Sequence, residues 1–319
     1  MAARASPSGI LTAMASTDAP AKPHSAEYFG EPRDFWWNTD FVALMARRWR
    51  LGSVRMALDL GCGVGHWGRV LLPHLPVEAR LFGVDREPGW VEEAARRAEA
   101  AGYADRTGYR LGDAERIPFH DETFDLVTCQ TLLIHVPDPR AVLREMMRVL
   151  KPGGLVAMVE PNNLSAAVAL GTAMFHAEPA TLLDVVRFHV LCQLGKARLG
   201  EGHNAVGEQL PGYAAEVGLL DVQAYVSDKA SALYPPYRGR EQQALRDEAL
   251  EWAERGFLGW AERDTRRYLL AAGADDEEHD RLAKVVLAAS RAAAAGLRAG
   301  TEHAAGGGVQ YLISGRKPG

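Results

Sequence analysis

The sequence predicts an α/β fold with a doubly wound, seven-stranded, mostly parallel sheet and helical lid insertions. Three observations lead to this prediction. From about residue 55 to residue 154, short apolar runs alternate with one-faced helical patterns, which is typical of βαβ units on a parallel sheet. A glycine-rich turn directly follows the first apolar run. Two further apolar runs near the C-terminal end supply the last strands, and long helical patterns lie before and between these two runs.

Seven segments are expected to form strands, because each is a short apolar run bounded by turn or helix signals. They are residues 55–60, 79–84, 107–111, 124–129, 155–160, 220–226 and 309–314, the last of them antiparallel. Helices are expected at residues 66–75, 87–101 and 139–150. A stop signal follows the third helix, because residues 151–154 combine a cation, a proline and two glycines.

The remaining segments are expected to flank or interrupt this sheet. Residues 1–24 are predicted to be a disordered leader and residues 25–54 to form N-terminal cap helices over a core at 55–163. Residues 164–218 are predicted to form a helical lid insertion. Residues 219–319 hold the last strands, with a helical insertion at about 239–300. The acidic run at 275–278 is expected to start a helix rather than to bind a metal.

Composition excludes several classes of protein. The 319 residues include 36 Lys and Arg against 41 Asp and Glu, so the chain lacks the basic surface that nucleic-acid binding requires. No run approaches the roughly 18 apolar residues of a membrane span. The three cysteines have neither metal-site nor disulfide spacing, which predicts a reducing, cytoplasmic location and no metal site.

The strongest motif follows the first predicted strand. Residues 59–65 read Asp-Leu-Gly-Cys-Gly-Val-Gly, and a helical pattern begins directly after them. Gly61, Gly63 and Gly65 stand at alternate positions, where glycine lets the backbone turn tightly and approach a ligand that a Cβ would exclude.

Two acidic residues follow the next two strands. Asp85 ends the second strand, where a carboxylate can accept hydrogen bonds from both hydroxyls of a ribose. Asp113 follows the third strand, where it can accept from an adenine amino group while the backbone N–H of Ala114 faces a ring nitrogen. Either acid could instead cap its own loop. Because the three strand ends lie at one edge of the sheet, the set favours a nucleoside ligand.

These motifs resemble those of class I (Rossmann-like) S-adenosylmethionine-dependent methyltransferases over roughly residues 55–160. The resemblance implies S-adenosylmethionine as the cofactor, held at its methionine end by the segment from Asp59 to Gly65. It implies that Asp85 binds the ribose, that Asp113 binds the adenine, and that the fourth strand leads into Gln130, facing the sulfonium. A nicotinamide dehydrogenase is the alternative, because Gly63, Gly65 and Gly68 also fit a dinucleotide pattern, but Asp59 and Asp113 favour S-adenosylmethionine.

Three residues near the fourth and fifth strand ends are candidates for catalysis. His135 could act as a base, or could pack at the start of a helix. Glu160 and Asn163 end the fifth strand, where they could bind a polar substrate or cap the helix that begins near Leu164.

An aromatic cluster precedes the sheet, with five aromatic residues between Tyr28 and Trp37. Tyr28 is a further candidate for catalysis, because aromatic rings in this segment could wall the site and stabilise a sulfonium by cation–π attraction. Arg33 could pair with the methionine carboxylate. The alternative is that the aromatic residues form a helix face packed on the core.

The function expected from the resemblance is methyl transfer to a small-molecule metabolite, in secondary metabolism. Large lids suit a small substrate that is closed off from water. The alternative is a lyase of the same fold that cyclises S-adenosylmethionine to azetidine-2-carboxylate and methylthioadenosine. The expected partner is the small-molecule substrate, without nucleic acid or membrane, and the oligomeric state stays open, a homodimer included.

Overall fold

A seven-stranded sheet is the centre of the described part of the chain, which a computed structural model gives as residues 30–168, 170–306 and 308–319. Its strand order is β3-β2-β1-β4-β5-β9-β6. The first five strands run parallel, and β9 is antiparallel to both β5 and β6. The strands are β1 Met56–Leu60, β2 Arg80–Asp85, β3 Thr107–Leu111, β4 Phe124–Gln130, β5 Leu150–Asn162, β6 Leu220–Val226 and β9 Val309–Arg316. The predicted doubly wound fold is confirmed.

Helices flank the sheet and fill the two long insertions of the described ranges. They are α1 Thr39–Arg48, α2 His66–Leu71, α3 Pro88–Ala100, α4 Pro139–Val149, α5 Thr172–Phe175, α6 Pro179–Arg198, α7 Leu210–Glu216, α8 Arg240–Arg255, α9 Glu262–Ala272 and α10 Asp276–Ala299. Short 3-10 helices include Glu31–Phe35, Leu133–His135 and Asn163–Val168. As predicted, the acidic run starts a helix, since the Asp275 side chain accepts the Glu278 N–H.

The sheet buries apolar residues on both faces, as a parallel sheet covered by helices requires. On one face, Leu58 of β1 belongs to the cluster that includes Met146 of α4. On the other face, Ala57 belongs to the cluster that includes Trp67 of α2 and Met45 of α1. The sheet is thus a rigid support for residues at its strand ends.

The two helical insertions share a third core, which we call the insertion core. Phe188 of α6, Leu269 of α9 and Leu282 of α10 belong to it and are fully buried. A small sheet that the sequence did not predict, β7 Ser231–Leu233 with β8 Ala304–Gly306, lies at the two ends of the second insertion. The insertions at 164–218 and at about 239–300 therefore pack on each other.

Element bounds differ most from the sequence expectation at the helix after the glycine-rich turn and at β5. The helix expected at 66–75 ends at Leu71 and continues as the 3-10 turn Leu72–His74, because Pro73 cannot donate an α-helical hydrogen bond. The stop signal at 151–154 lies inside β5, which begins at Leu150, and there the N–H of Gly153 (φ 72°) donates to Lys317 O. The predicted leader at residues 1–24 lies outside the described residues.

Among the described helices, none has the length and apolar character that a bilayer crossing requires.

Candidate functional site

The carboxyl ends of the parallel strands bring the predicted residues to one edge of the sheet. Asp59 lies on β1 and Asp85 ends β2. Gln130 ends β4, and Glu160 lies near the end of β5. This edge is where open α/β sheets bind ligands.

The glycine-rich turn between β1 and α2 requires glycine at several positions. Gly61, Gly63 and Gly65 have φ angles of 65°, 50° and 72°, a region that other residues rarely adopt. A Cβ on Gly61 would lie 2.6 Å from Cδ1 of Leu132. The N–H of Gly63 donates to Oδ2 of Asp85 at 2.8 Å, so the carboxylate predicted to bind ribose also fixes the turn.

Asp59 is a buried carboxylate, and one of its two oxygens accepts a backbone hydrogen bond. Its Oδ2 accepts the N–H of Gly68 at 3.0 Å, while its Oδ1 is buried without a hydrogen-bond partner in the described ranges. Burial raises the pKa of Asp59 to about 7, and the negative charge of Asp85 adds to the increase. A cationic ligand group beside Oδ1 would compensate for this desolvation.

The 3-10 helix Glu31–Phe35 carries Arg33 to the glycine-rich turn. Burial lowers the pKa of Arg33 to about 10, against the opposing effect of the negative charge of Asp59. The guanidinium also lies over the ring of Trp36, with Cζ 4.6 Å from the centroid. Arg33 is thus a cation within electrostatic range of Asp59 and His66, and its binding of the methionine carboxylate stays a prediction.

His66 begins α2 directly after the turn, and the sequence analysis did not single it out. It is 7% exposed, and its Nε2 is buried with no hydrogen-bond partner among the residues described. Burial, followed by the charge of Arg33, lowers the pKa of His66 to about 3, so the imidazole is neutral at physiological pH. Its place directly after Gly65 was the available signal.

Asp85 and Asp113 each cap their own loop. Oδ1 of Asp85 accepts the N–H of Glu87 at 3.0 Å, and Oδ1 of Asp113 accepts the N–H of Glu115 at 2.8 Å. Asp85 is half-buried, whereas Asp113 is exposed and the neighbouring Ala114 is half-buried. The capping alternative is therefore present, and it leaves further lone pairs on both carboxylates for a ligand.

Gln130 has the least satisfied side chain at this edge. It is 3% exposed, and both polar atoms of its amide are buried without a hydrogen-bond partner in the described part of the chain. Leaving a buried amide unpaired costs about 1–3 kcal/mol per group. A polar ligand at the end of β4 would remove this cost.

Glu160 is fully buried and binds the turn after β4. Its Oε1 accepts the N–H groups of Leu132 and Leu133, both at 2.8 Å, and Oε2 accepts that of Ile134 at 3.4 Å. Burial raises the pKa of Glu160 to about 7 in spite of these hydrogen bonds. Glu160 does not cap the helix near Leu164.

Of the other candidates for catalysis, Asn163 directly follows β5 and His135 lies within the turn after β4. The N–H of Leu164 donates instead to Oδ1 of Asn162 at 3.0 Å, and Asn163 donates its backbone N–H to Asn204 O at 2.9 Å. His135 ends the 3-10 helix Leu133–His135 and is half-buried. Tyr28 lies outside the described residues.

Polar groups from the insertion also reach this edge, and the sequence analysis missed them. Lys196 of α6 is 3% exposed and donates to Ile134 O at 2.7 Å. Gln193 accepts the N–H of Asn204 at 3.2 Å. The available signal was polar residues at positions 193 and 196 beside the apolar face of α6 that carries Phe188 and Cys192.

The edge fits a ligand with charged, hydroxyl and amino groups. The turn excludes side chains at its glycines, and Asp59, His66 and Gln130 hold buried polar atoms that lack partners within the described ranges. No group of three or more His, Cys, Asp or Glu residues that could hold a metal ion occurs in those same ranges.

Comparison with known proteins finds a methyltransferase family match within this chain. Residues 58–158 match the family described as "Methyltransferase domain". Demethylmenaquinone methyltransferase of Lactiplantibacillus plantarum is 36% identical over 122 residues, covering 36% of this chain and 52% of that protein. Sterol 24-C-methyltransferase erg6 of Aspergillus fumigatus is 35% identical over 103 residues, covering 32% of this chain and 27% of that protein. The chain thus spans about half or less of the length of these relatives.

The YcgJ protein of Bacillus subtilis is similar in structure, with a TM-score of 0.48 and 19% identity over 88% of this chain and 100% of that one.

The family match covers one part of the chain, and this part holds the sheet edge described above. Residues 58–158 match a methyltransferase domain, and S-adenosylmethionine is the cofactor of that family. Residues 58–158, the matched part, include the glycine-rich turn, Asp85, Asp113 and Gln130.

Proposed function

We propose that the protein transfers the methyl group of S-adenosylmethionine to a small-molecule acceptor. The observation that carries the proposal is Gln130. Its buried amide, at the end of β4, has no hydrogen-bond partner among the described residues. The other motifs of the predicted cofactor site lie at the same edge of the sheet. Such an amide favours a bound polar ligand over a purely structural role for this edge.

Each end of the cofactor has residues that would hold it. Arg33 supplies a cation for the methionine carboxylate, and Asp59 supplies an acceptor for the amino group. Asp85 would accept from the ribose hydroxyls, while Asp113 and the backbone of Ala114 would bind the adenine. When bound, S-adenosylmethionine supplies an electrophilic methyl group, so the protein contributes mainly position and electrostatic complementarity.

The acceptor proposed is a small metabolite. Helix α6 of the first insertion contacts the turn after β4 through Lys196, and the short helix Asn163–Val168 directly follows β5. Helices at these strand ends can exclude water from a small substrate. Two relatives carry names that specify demethylmenaquinone and a sterol, both small organic acceptors. His135 is the proposed base for an acceptor that arrives protonated, and Asn163 the proposed contact for a polar group.

The proposal extends to a cytoplasmic enzyme of secondary metabolism, either as a monomer or as a homodimer. Cys62, Cys129 and Cys192 are free and buried, which supports a reducing compartment. Identifying the acceptor in a fractionated small-molecule extract tests the proposed place in secondary metabolism.

The decisive experiment is to incubate the full chain with S-adenosylmethionine, first alone and then with a fractionated small-molecule extract, and to separate the products by mass. We expect S-adenosylhomocysteine to form only with the extract, together with an acceptor heavier by one methylene unit. Gln130→Ala should reduce this product strongly, whereas Gln223→Ala, an exposed glutamine on β6, should not. Methylthioadenosine formed without an acceptor would establish the cyclising lyase and contradict methyl transfer.

A further inference from the structure

The turn after β4, residues 131–135, has a constrained backbone. Thr131 has a φ of 53°, in the left-handed region that is strained for a non-glycine residue. Its N–H donates to Val159 O at 2.9 Å, and its hydroxyl donates to Gln130 O at 2.7 Å. The turn therefore needs support from its surroundings, and the direction of the Gln130 amide depends on that support.

The sheet supports the N–H groups of this turn. Glu160 accepts three consecutive backbone N–H groups, those of residues 132–134, from its position on β5. Because it is fully buried, water does not compete for these hydrogen bonds. A carboxylate cannot donate a hydrogen bond to the backbone carbonyl groups of the turn, so these groups need donors from other residues.

The insertion binds the carbonyl side. Nζ of Lys196 donates to Ile134 O at 2.7 Å and also to Oδ1 of Asn204. Gly202, on the loop after α6, lies so close that a Cβ there would be 2.3 Å from Ile134 O. Lys196 is thus a charged donor to a backbone carbonyl of the turn that directly follows Gln130, and the contact is closely packed.

Burial and the neighbouring charges act on the Lys196 ammonium in opposite directions. Burial lowers the pKa of Lys196 to about 8, while the negative charges of Glu201 and Glu160 oppose the decrease. His203 also faces it, and burial and then the charge of Lys196 lower the pKa of that imidazole. Glu201 is itself held by Arg267 and Tyr268.

We propose that Lys196 is a positioning residue that holds the turn after β4 and so directs the Gln130 amide towards bound S-adenosylmethionine. The inference rests on the proposed function, in which Gln130 contacts the cofactor. It gives the first insertion a part in cofactor binding, although Lys196 lies outside the matched residues and would act on the cofactor only through the turn.

The test is a double-mutant cycle read by calorimetric binding of S-adenosylhomocysteine to the full chain. At pH 7, Lys196→Met should raise Kd about tenfold, the loss of roughly one charged hydrogen bond. In the Gln130→Ala background the same change should raise Kd less than about twofold, because the group that it positions is gone. Lys284→Met, at an exposed lysine of α10, should leave Kd unchanged in both backgrounds. Equal effects of Lys196→Met in the two backgrounds would overturn the inference.

A pH series separates positioning from a general structural role. The Kd ratio of Lys196→Met to wild type should fall from about ten at pH 7 to about three at pH 9.5, since the wild-type ammonium loses its proton. A ratio that stays constant would contradict the inference. If the methionine variant does not fold, Lys196→Arg replaces it, and its Kd relative to wild type should decrease over the same range because arginine keeps its charge.

The proposed function and the role of Lys196 can be contradicted separately. Wild-type protein that does not bind S-adenosylhomocysteine would contradict the proposed function, and this inference with it. Wild-type protein that binds it and transfers methyl groups, with Lys196→Met unchanged in Kd, would contradict this inference alone.

Discussion

Removing the Asp85 carboxylate should weaken cofactor binding selectively. In the structure each of its oxygens accepts one internal N–H, from Gly63 at 2.8 Å and from Glu87 at 3.0 Å. Each oxygen keeps a further lone pair, and the two remaining positions match the two hydroxyls of a ribose. Asp85→Ala removes both proposed contacts and also releases the N–H that fixes the glycine-rich turn.

The expected loss follows from these contacts. A hydrogen bond to a charged group contributes about 1.5–3 kcal/mol, so two of them, taken at the low end, contribute about 3 kcal/mol. This corresponds to an increase in Kd of about 100-fold. Asp85→Asn keeps one acceptor oxygen without the charge, so its Kd should lie between those of Asp85→Ala and wild type.

Calorimetric titration with S-adenosylhomocysteine measures these values directly. Asp105→Ala, at an exposed aspartate beside β3, is the matched control and should bind as wild type does. Urea unfolding of each variant shows whether the fold is retained. A Kd of Asp85→Ala within twofold of wild type, in a folded protein, would refute the assignment of Asp85 to the ribose.

Three further predictions concern the base, the packing of the sheet and the buried acid. His135→Ala should lower kcat for a protonated acceptor by about 100-fold or more with an unchanged Kd for S-adenosylhomocysteine, and full turnover would exclude it as the base. Gly83→Ala should destabilise the fold by about 1–3 kcal/mol in urea unfolding, because its Cβ would lie 2.5 Å from the Tyr109 ring, whereas Gly52→Ala meets no atom within 4 Å and should be neutral. Burial raises the pKa of Glu160 from 4.5 to about 7, so the folded state binds more protons between these values. Stability of the wild type relative to Glu160→Gln should therefore fall by about 3 kcal/mol as the pH rises from about 4.5 to 8, and a difference that does not change with pH would contradict this pKa.

The sheet could be predicted from the sequence because its signals are local. Most of the parallel strands are short, largely apolar runs, and the glycine-rich turn has a composition that few other structures need. The residues at the strand ends follow from the same argument, since parallel strands place their carboxyl ends together. Asp59, Asp85 and Gln130 therefore came to one edge as expected.

Contacts between distant segments could not be predicted in this way. No local pattern shows that Glu160 binds the turn after β4 rather than the helix near Leu164, because the choice depends on the register of β4 and β5. The contact of Lys196 with Ile134 joins residues 62 positions apart. The small sheet of β7 and β8 has no sequence signal, since its strands have three residues each.

The insertion core has a consequence for the design of chimeric enzymes. Phe188 belongs to the first insertion, whereas Leu269 and Leu282 belong to the second, and all three are buried in one cluster. Replacing either insertion alone with that of a relative would leave half of an apolar interface without its complement, at a cost of about 2–5 kcal/mol for each large side chain left facing a cavity. Under the proposed function, an exchange of insertions with another enzyme should therefore transfer both as a single module, even though the polypeptide encodes them in two separate stretches.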